Sequence, residues 1–183
     1  MTIVLIGMKH CGKSTVGGAL AVRRGCPFHD LDDLIVTEHE RRTGRRHTVR
    51  EIYKTHGAAE FARLETTALH DLAGAMAASG TDHVVALGGR TPMNPDVQTV
   101  LAEMDLKIYL RVSTETLFER VRRTGIPPFL DAADPAGSFA ALCDERTPYY
   151  EQLADIVLDA EGHSVDEIVD RITHSIKEHP HGR

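Results

Sequence analysis

A glycine-rich segment near the N-terminus is the feature that most constrains the fold of this chain. Residues 7–14, with the sequence GMKHCGKS, match the pattern G-x-x-x-x-G-K-S/T of a phosphate-binding loop. The apolar run at 3–6 precedes them as a buried strand, and residues 15–22 follow as a helix with an apolar face. Because the motif requires a strand before it and a helix after it, we predict a nucleotide site here. The alternative is an ordinary strand-to-helix turn that fits the pattern by chance.

The residue types in this loop suit a triphosphate. Anionic phosphate oxygens are best met by backbone N–H groups at a helix N-terminus and by one ammonium group. Gly7 and Gly12 would let the backbone come close to phosphate. Lys13 would bridge the β- and γ-phosphates, and the Ser14 hydroxyl would ligate Mg²⁺. The loop residues predicted to contact ATP are Gly7, His10, Cys11, Gly12, Lys13, Ser14 and Thr15.

The rest of the chain alternates between strand and helix patterns. Predicted strands lie at 3–6, 27–29, 84–87, 107–110 and 156–158. Predicted helices lie at 32–42, 48–55, 59–78, 95–104, 114–123 and 138–153, and a last helix begins at a Ser164–Glu167 capping box. Strands separated by helices indicate an α/β fold of three layers, with a parallel sheet of about five strands between helices. We expect one domain over residues 1–183, with its ligands at the carboxyl edge of the sheet.

Composition excludes several classes of function. A net charge of −6 argues against general nucleic-acid binding, and no apolar run approaches the roughly 20 residues of a membrane helix. The three cysteines are far apart and the 11 histidines are scattered, so neither set indicates a metal centre. We expect no signal peptide, because a strand begins at once, and therefore a cytoplasmic protein, which we take to be a monomer. The polar tail at 178–183 should be disordered.

Two aspartates follow the second predicted strand. Asp30 and Asp32 are two residues apart at a strand end, so both can point out from the carboxyl edge of the sheet. Carboxylates there could orient Mg²⁺ through water or accept a proton from an attacking hydroxyl. Asp32 could equally be the N-cap of the helix that follows.

One long loop breaks the alternation. Residues 124–137 contain three prolines and two glycines between two predicted helices. Loops of this length in compact domains are usually mobile or functional. In a kinase such a loop would serve as a lid that closes over the nucleotide, and a plain surface loop is the alternative.

Taken in order, these motifs resemble the shikimate kinase family over nearly the whole chain, from residue 3 to about 159. This family comprises small P-loop enzymes that phosphorylate a hydroxyl of a cyclic carboxylate. The matching segments are the loop at 7–14, Asp30-Leu31-Asp32, Arg42-Thr43-Gly44, Gly57 with Glu60-Phe61, Gly88-Gly89, Tyr109-Leu110 with Ser113, and Arg146 with Pro148 and Tyr150.

The resemblance implies roles for residues outside the loop. Asp32 would hold the acceptor hydroxyl as base, and Asp30 would sit near Mg²⁺ through water. Gly88 and Gly89 would let the acceptor approach the backbone. Arg146 would grip an acceptor carboxylate in a bidentate fork, unless it forms a surface ion pair with an acidic neighbour.

The resemblance also implies that the Arg123 guanidinium stacks on the adenine ring of ATP.

Four positions depart from the family pattern. Ala62 stands where the pattern has an arginine that shares the substrate carboxylate, and Arg63 is turned about 100° round the helix from it. Pro127 stands in place of the lid arginine, and His10 in place of an inner glycine of the phosphate loop. Arg90 replaces the third glycine of the acceptor turn, and we hypothesise that it substitutes in part for the absent arginine at 62; the alternative is that it points to solvent.

The sequence therefore predicts an ATP- and Mg²⁺-dependent kinase acting on a small molecule. The expected reaction is phosphorylation of shikimate to shikimate 3-phosphate, a step of aromatic amino acid biosynthesis. One alternative keeps the chemistry but uses another small hydroxylated acid or polyol. The other is a nucleotide-binding regulator that has lost kinase activity.

Overall fold

Five parallel strands form the central layer of the protein. The computed structural model describes residues 1–127 and 129–178. The strands are β1 (Thr2–Ile6), β2 (Phe28–Asp30), β3 (His83–Ala86), β4 (Leu106–Arg111) and β5 (Ile156–Asp159), in the spatial order β2-β3-β1-β4-β5. Every neighbouring pair is parallel, and the predicted α/β fold is confirmed. The side chains at 3–6 in central β1 are fully buried, as expected of a strand covered on both faces.

Seven α-helices pack around this sheet in the part of the chain that the structure describes. They are α1 (Lys13–Arg24), α2 (Leu31–Thr43), α3 (Val49–Ser79), α4 (Gln98–Glu103), α5 (Thr114–Thr124), α6 (Pro135–Leu153) and α7 (Val165–Glu178). The capping box before α7 is present, since the Glu167 amide donates to Ser164 Oγ and the Ser164 amide donates to the Glu167 carboxylate. Apolar side chains of the sheet and the helices form one hydrophobic core.

Most predicted helix and strand boundaries lie within two residues of the observed ones, and three differences are larger. The predicted helices at 48–55 and 59–78 form one long helix with a break at Gly57, whose φ of 77° and ψ of 177° are not helical. The predicted helix at 95–104 begins only at Gln98, after a short 3₁₀ turn. Helix α6 begins three residues earlier than predicted, because Pro135 fits the first helical turn and the Asp134 side chain caps it.

The loop predicted as a lid is therefore shorter than residues 124–137. Thr124 ends α5 and Pro135 starts α6, which leaves residues 125–134 between them. Pro128 of this loop lies outside the described residues, as do residues 179–183 of the tail that we predicted to be disordered. No helix in the described ranges combines the length and apolarity needed to cross a membrane.

The strand order determines where a ligand can bind. The connection after β1 leads to β2 on one side of the sheet, and the connection after β3 leads to β4 on the other side. The two connections therefore diverge at the carboxyl edge of the sheet, between β1 and β3. Parallel sheets bind ligands in the crevice at such a point. The phosphate loop follows β1, Asp30 ends β2 with Asp32 just beyond it, and the glycine turn follows β3, so all three meet at this edge.

Candidate active site

The phosphate loop has backbone angles that favour glycine at both ends of the motif. Gly7 has a φ of 139°, and a Cβ there would lie 2.9 Å from the Leu110 carbonyl oxygen and 3.0 Å from Cys11 Sγ. Gly12 has a φ of 106° and forms the N-cap of α1 without a side-chain hydrogen bond. The first N–H groups of α1 therefore face the loop without a capping side chain, which suits an anion.

Lys13 lies across this loop. Its side chain is buried, with an exposed fraction of 8%, and its ammonium donates to the carbonyl oxygens of Gly7 and Met8 at 2.9 Å each. The loop's own backbone thus holds the ammonium beside the N-terminus of α1. A phosphate at the helix N-terminus would lie close to this cation, which could then exchange its backbone acceptors for phosphate oxygens.

His10 adopts an unusual conformation within the loop. It is the one non-glycine residue with a positive φ, 69°, in the part of the chain that the structure describes. Burial lowers the pKa of the imidazole, and the nearby charges of Lys9, Lys13 and Arg120 lower it further. The left-handed backbone explains why the family pattern has glycine here.

Ser14 and Asp30 form a pair at the start of α1 and the end of β2. Ser14 Oγ donates to Asp30 Oδ2 at 2.5 Å, while Asp30 Oδ1 accepts from the Asp32 amide at 3.0 Å. Asp30 is thus the N-cap of α2, and the alternative in which Asp32 caps this helix is wrong. Hydroxyl and carboxylate oxygens are the ligands that Mg²⁺ prefers, so the pair fits this ion together with phosphate oxygens and water.

Asp32 is thereby free for chemistry, one residue into α2. Burial raises the pKa of its carboxyl and the Asp30 carboxylate raises it further, while Lys9 and Lys13 act in the opposite direction. A carboxyl group with a raised pKa is a stronger base than an ordinary aspartate. Its position therefore suits proton acceptance from a hydroxyl that lies in the cleft.

The glycine turn after β3 makes close contacts with both sides of the cleft. A Cβ at Gly88 would lie 2.9 Å from Thr91 Oγ1 and 3.3 Å from Asp32 Oδ1. A Cβ at Gly89 would lie 3.2 Å from the Lys9 amide nitrogen. These two positions therefore need glycine for steric reasons, and the turn leaves room for a ligand between the phosphate loop and α2.

Glu65 is a functional candidate that the sequence analysis did not select. Its side chain is buried on α3, and its carboxylate accepts from Thr91 Oγ1 at 2.6 Å and from Asn94 Nδ2 at 3.0 Å. Burial raises the pKa of this carboxyl, and those two hydrogen bonds lower it in part. A signal was present, because Glu65 lies four residues after Phe61 and so shares its helix face.

Tyr150 and Arg146 bring α6 to the same turn. Tyr150 is fully buried, and its hydroxyl donates to the Gly89 carbonyl oxygen. Burial raises the pKa of this phenol, while the charge of the neighbouring Arg146 acts against the rise. Arg146 is half-buried, and the structure shows no ion pair within 4.0 Å between it and Asp144 or Glu145 among the described residues. The predicted carboxylate-binding arginine thus lies beside the acceptor turn.

A cleft of about 370 Å³ unites most of the predicted site residues. Its lining comprises Lys9, His10, Gly12, Lys13, Ser14, Thr15, Asp30, Asp32, Leu87, Gly88 and Gly89. Arg90 lies outside this lining with an exposed side chain, although it is near enough to Glu65 to lower the pKa of that carboxyl slightly.

A second cleft, of about 460 Å³, lies along α5 beside the phosphate loop. Arg120 and Arg123 both contribute to its wall. Arg120, which the sequence analysis did not select, donates to the His10 carbonyl oxygen at 2.8 Å. Arg123 is exposed one helical turn further on, so Arg120 is the closer of the two to the phosphate loop.

Comparison with known proteins identifies the family of this chain. The family model for shikimate kinase matches residues 9–177. A shikimate kinase from Chromobacterium violaceum is 36% identical over 177 residues, covering 97% of this chain and 90% of the relative. One from Symbiobacterium thermophilum is 34% identical over 180 residues and covers 97% of both chains.

Solved structures support the same assignment. Shikimate kinase from Acinetobacter baumannii in complex with shikimate superposes with a TM-score of 0.82 at 27% identity, covering 97% of this chain and 93% of that one. The enzyme from Aquifex aeolicus gives a TM-score of 0.79 at 27% identity, with full coverage of both chains. The predicted P-loop kinase fold and the predicted use of ATP and Mg²⁺ are confirmed. This chain belongs to the shikimate kinase family, and it is a phosphotransferase that acts on an alcohol group.

Proposed function

We propose that this chain transfers the γ-phosphoryl group of ATP to a hydroxyl of shikimate in the cleft between the phosphate loop and the glycine turn. One observation carries the proposal. The phosphate-binding residues Lys13 and Ser14 line the same cleft as the proposed base, Asp32, and the acceptor turn at 88–89. A phosphoryl donor and a hydroxyl acceptor bound there would be held side by side, and positioning is a large part of this catalysis.

The phosphate loop would hold ATP. N–H groups of Gly12, Lys13 and Ser14 at the start of α1 would bind the phosphate oxygens, and the Lys13 ammonium would move from its backbone acceptors to the β- and γ-phosphates. Arg120 and Arg123 would flank the adenine, since both line the cleft on α5. Bound Mg²⁺ would neutralise charge on the transferring group, with Ser14 as a ligand and Asp30 acting through water.

Asp32 would accept the proton of the attacking hydroxyl. Its carboxylate oxygen lies at the acceptor turn, as the 3.3 Å approach to a Cβ at Gly88 shows. Its raised pKa increases its strength as a base. Arg146 would bind the shikimate carboxylate from α6, and Gly88 and Gly89 would let the ring approach the backbone.

The direct test is turnover by the purified protein. ADP release should require ATP, Mg²⁺ and shikimate together, and the product should carry phosphate on one ring hydroxyl. A panel of other hydroxylated acids and polyols would show whether shikimate is the preferred acceptor. Tight ATP binding without turnover on any acceptor would contradict the proposal and indicate a regulator instead.

Two further expectations concern the oligomeric state and the cellular location of the protein. We expect a monomer that works in the cytoplasm on a small molecule, without nucleic acid or membrane. Light scattering of the purified chain at several concentrations tests the monomer, and a dimer at all concentrations would contradict it.

A further inference from the structure

The acceptor side of the cleft contains two acidic side chains. Asp32 Oδ1 and Glu65 Oε1 lie 3.3 Å and 3.7 Å from the position of a Cβ at Gly88, so both carboxylates face the same turn. Burial raises the pKa of both carboxyls. An acceptor that itself carries a carboxylate would enter against this charge, and burial strengthens such repulsion. Cations inside the cleft offset this charge, and one of them, Lys13, is held on the nucleotide side by the Gly7 and Met8 carbonyls.

Lys9 is placed to supply that cation. It lines the cleft together with Asp32, Gly88 and Gly89, and its amide nitrogen lies 3.2 Å from the position of a Cβ at Gly89. Its charge also acts on Asp32, where it opposes the effect of burial and of Asp30 on the carboxyl pKa. The Lys9 side chain is exposed, and its ammonium makes no hydrogen bond or ion pair with another residue in the described ranges, so it can enter the cleft without breaking one there.

The other cations near the acceptor turn are less well placed. Position 62 shares a helix face with Glu65, three residues later, but it supplies no cation because its residue is alanine. Arg63 is turned to solvent, with 75% of its side chain exposed, and pairs with Glu60 at 3.3 Å. Arg90 is exposed and lies outside the lining of the cleft.

We propose that Lys9 binds the acceptor carboxylate together with Arg146, and so determines the selectivity of this enzyme for an anionic acceptor. Lys9 and Arg146 approach the turn from opposite elements. Lys9 is in the phosphate loop beside Gly89, whereas Arg146 adjoins the Tyr150 hydroxyl that donates to the Gly89 carbonyl oxygen. A carboxylate between them would meet charge from both sides. This inference rests on the proposed function, since it concerns the same acceptor.

A lysine in this role differs from an arginine at position 62. The ammonium is a point charge on a flexible stem, whereas a guanidinium binds a carboxylate as a planar fork. Lys9 would therefore attract the carboxylate with less control over its orientation. We expect this enzyme to tolerate a shifted carboxylate position better than one that carries arginine there.

The experiment compares Lys9→Met and Lys9→Arg with the wild type, and Arg63→Met serves as the matched control for loss of a surface charge. The acceptors are shikimate and its uncharged methyl ester. For Lys9→Met we expect the KM for shikimate to rise about tenfold or more, as for loss of a charged hydrogen bond. The KM values for ATP and for the ester should change less than about twofold. Lys9→Arg should restore most of the loss, and Arg63→Met should match the wild type.

Additional variants distinguish Lys9 from the other cations near the cleft. Adding Ala62→Arg to Lys9→Met should recover affinity for shikimate, because it returns a cation to the same side of the cleft. A shikimate KM within about twofold of the wild type in Lys9→Met would overturn the inference. A selective rise in the ATP KM would overturn it too, since Lys9 would then bind phosphate. A rise in the shikimate KM for Arg90→Met alone would assign the role to Arg90 instead.

Calorimetric titration of shikimate separates this inference from the proposed function. A wild type that binds shikimate in a Lys9-dependent way but does not phosphorylate it would overturn the function and retain the inference. A wild type that phosphorylates shikimate with no dependence on Lys9 would support the proposed function and overturn the inference. A wild type that neither binds nor phosphorylates shikimate would overturn both. Thermal melts of each variant check that the fold is intact.

Discussion

The two sides of the cleft are built in different ways. The nucleotide side comes from one continuous segment, in which Gly7 and Gly12 shape the loop and the loop's own carbonyls hold Lys13. The acceptor side is assembled from segments far apart in the sequence. Tyr150 and Gly89, for example, are in contact although they are 61 residues apart. A local motif retains its geometry when its surroundings vary, whereas an assembled site changes with each contributing element. The departures at Ala62 and Arg90 fall on the assembled side, where they alter selectivity more readily than chemistry.

Loss of the loop ammonium should have the largest effect. Lys13→Ala removes the charge that would bridge the β- and γ-phosphates, and we expect turnover to fall by about 10³–10⁵-fold. Steady-state kinetics with saturating ATP measure this effect. Lys54→Ala, which removes an exposed lysine from α3, is the control and should retain wild-type turnover. Turnover of Lys13→Ala within about threefold of the wild type would refute the role of the loop.

Loss of the proposed base should come next. Asp32→Asn keeps the size of the side chain but removes the proton acceptor, and we expect kcat to fall roughly 10²–10⁴-fold with little change in the ATP KM. Because the base must be ionised and its pKa is raised, the wild-type kcat should fall on acidification at a higher pH than an ordinary aspartate would give. The variant should lack this acidic limb. A large loss of ATP affinity would make Asp32 a metal-site residue instead.

Filling the glycine turn should affect the acceptor side selectively. A Cβ at Gly88 would lie 2.9 Å from Thr91 Oγ1, which donates to Glu65, so Gly88→Ala must displace that hydrogen bond. We expect the acceptor KM to rise roughly tenfold to a hundredfold while the ATP KM changes less. Gly89→Ala should have a smaller effect, since its nearest approach is 3.2 Å. Equal changes in the acceptor KM and the ATP KM would mean that the acceptor side and the nucleotide side of the cleft do not act independently.

The predicted lid should respond to the nucleotide. Among the described residues of the 125–134 loop, Ile126 and Phe129 are exposed apolar side chains, 46% and 70% respectively, whereas Leu130 is buried and anchors the segment. We expect fast amide hydrogen exchange in this loop without nucleotide and slower exchange when ATP is bound. Exchange measured with shikimate alone is the control. Protection that does not depend on ATP would argue against a lid.

The smallest expected effect concerns the strained residue of the phosphate loop. His10→Gly relieves the left-handed backbone and retains the carbonyl oxygen that accepts from Arg120. We expect the free energy of unfolding to rise by about 1 kcal/mol, which corresponds to a Tm increase of roughly 2–4 °C. Kinetics should stay near those of the wild type. A fall in Tm would show that the imidazole packing outweighs the backbone strain.

Local patterns were sufficient for the nucleotide side and for the sheet. The phosphate loop, the five strands and the capping box at Ser164 all depend on residues close together in sequence, and all are present in the structure. The prediction for Asp32 left two roles open, a part in the chemistry or the N-cap of the next helix, and it did not foresee Asp30 as that cap. Only the contacts with Ser14 and the Asp32 amide decided between them.

What the sequence by itself determined was the class of fold, the nucleotide site and the family, because these depend on motifs whose geometry is local. What only the tertiary structure decided was the composition of the acceptor side. The burial of Glu65, the contact of Tyr150 with Gly89 and the approach of Lys9 to the same turn arise from the crossover order of the strands. The approach of Arg120 to the phosphate loop likewise depends on how α5 packs. Such contacts join residues far apart in the chain, and no spacing along the sequence records which of them share an edge of the sheet.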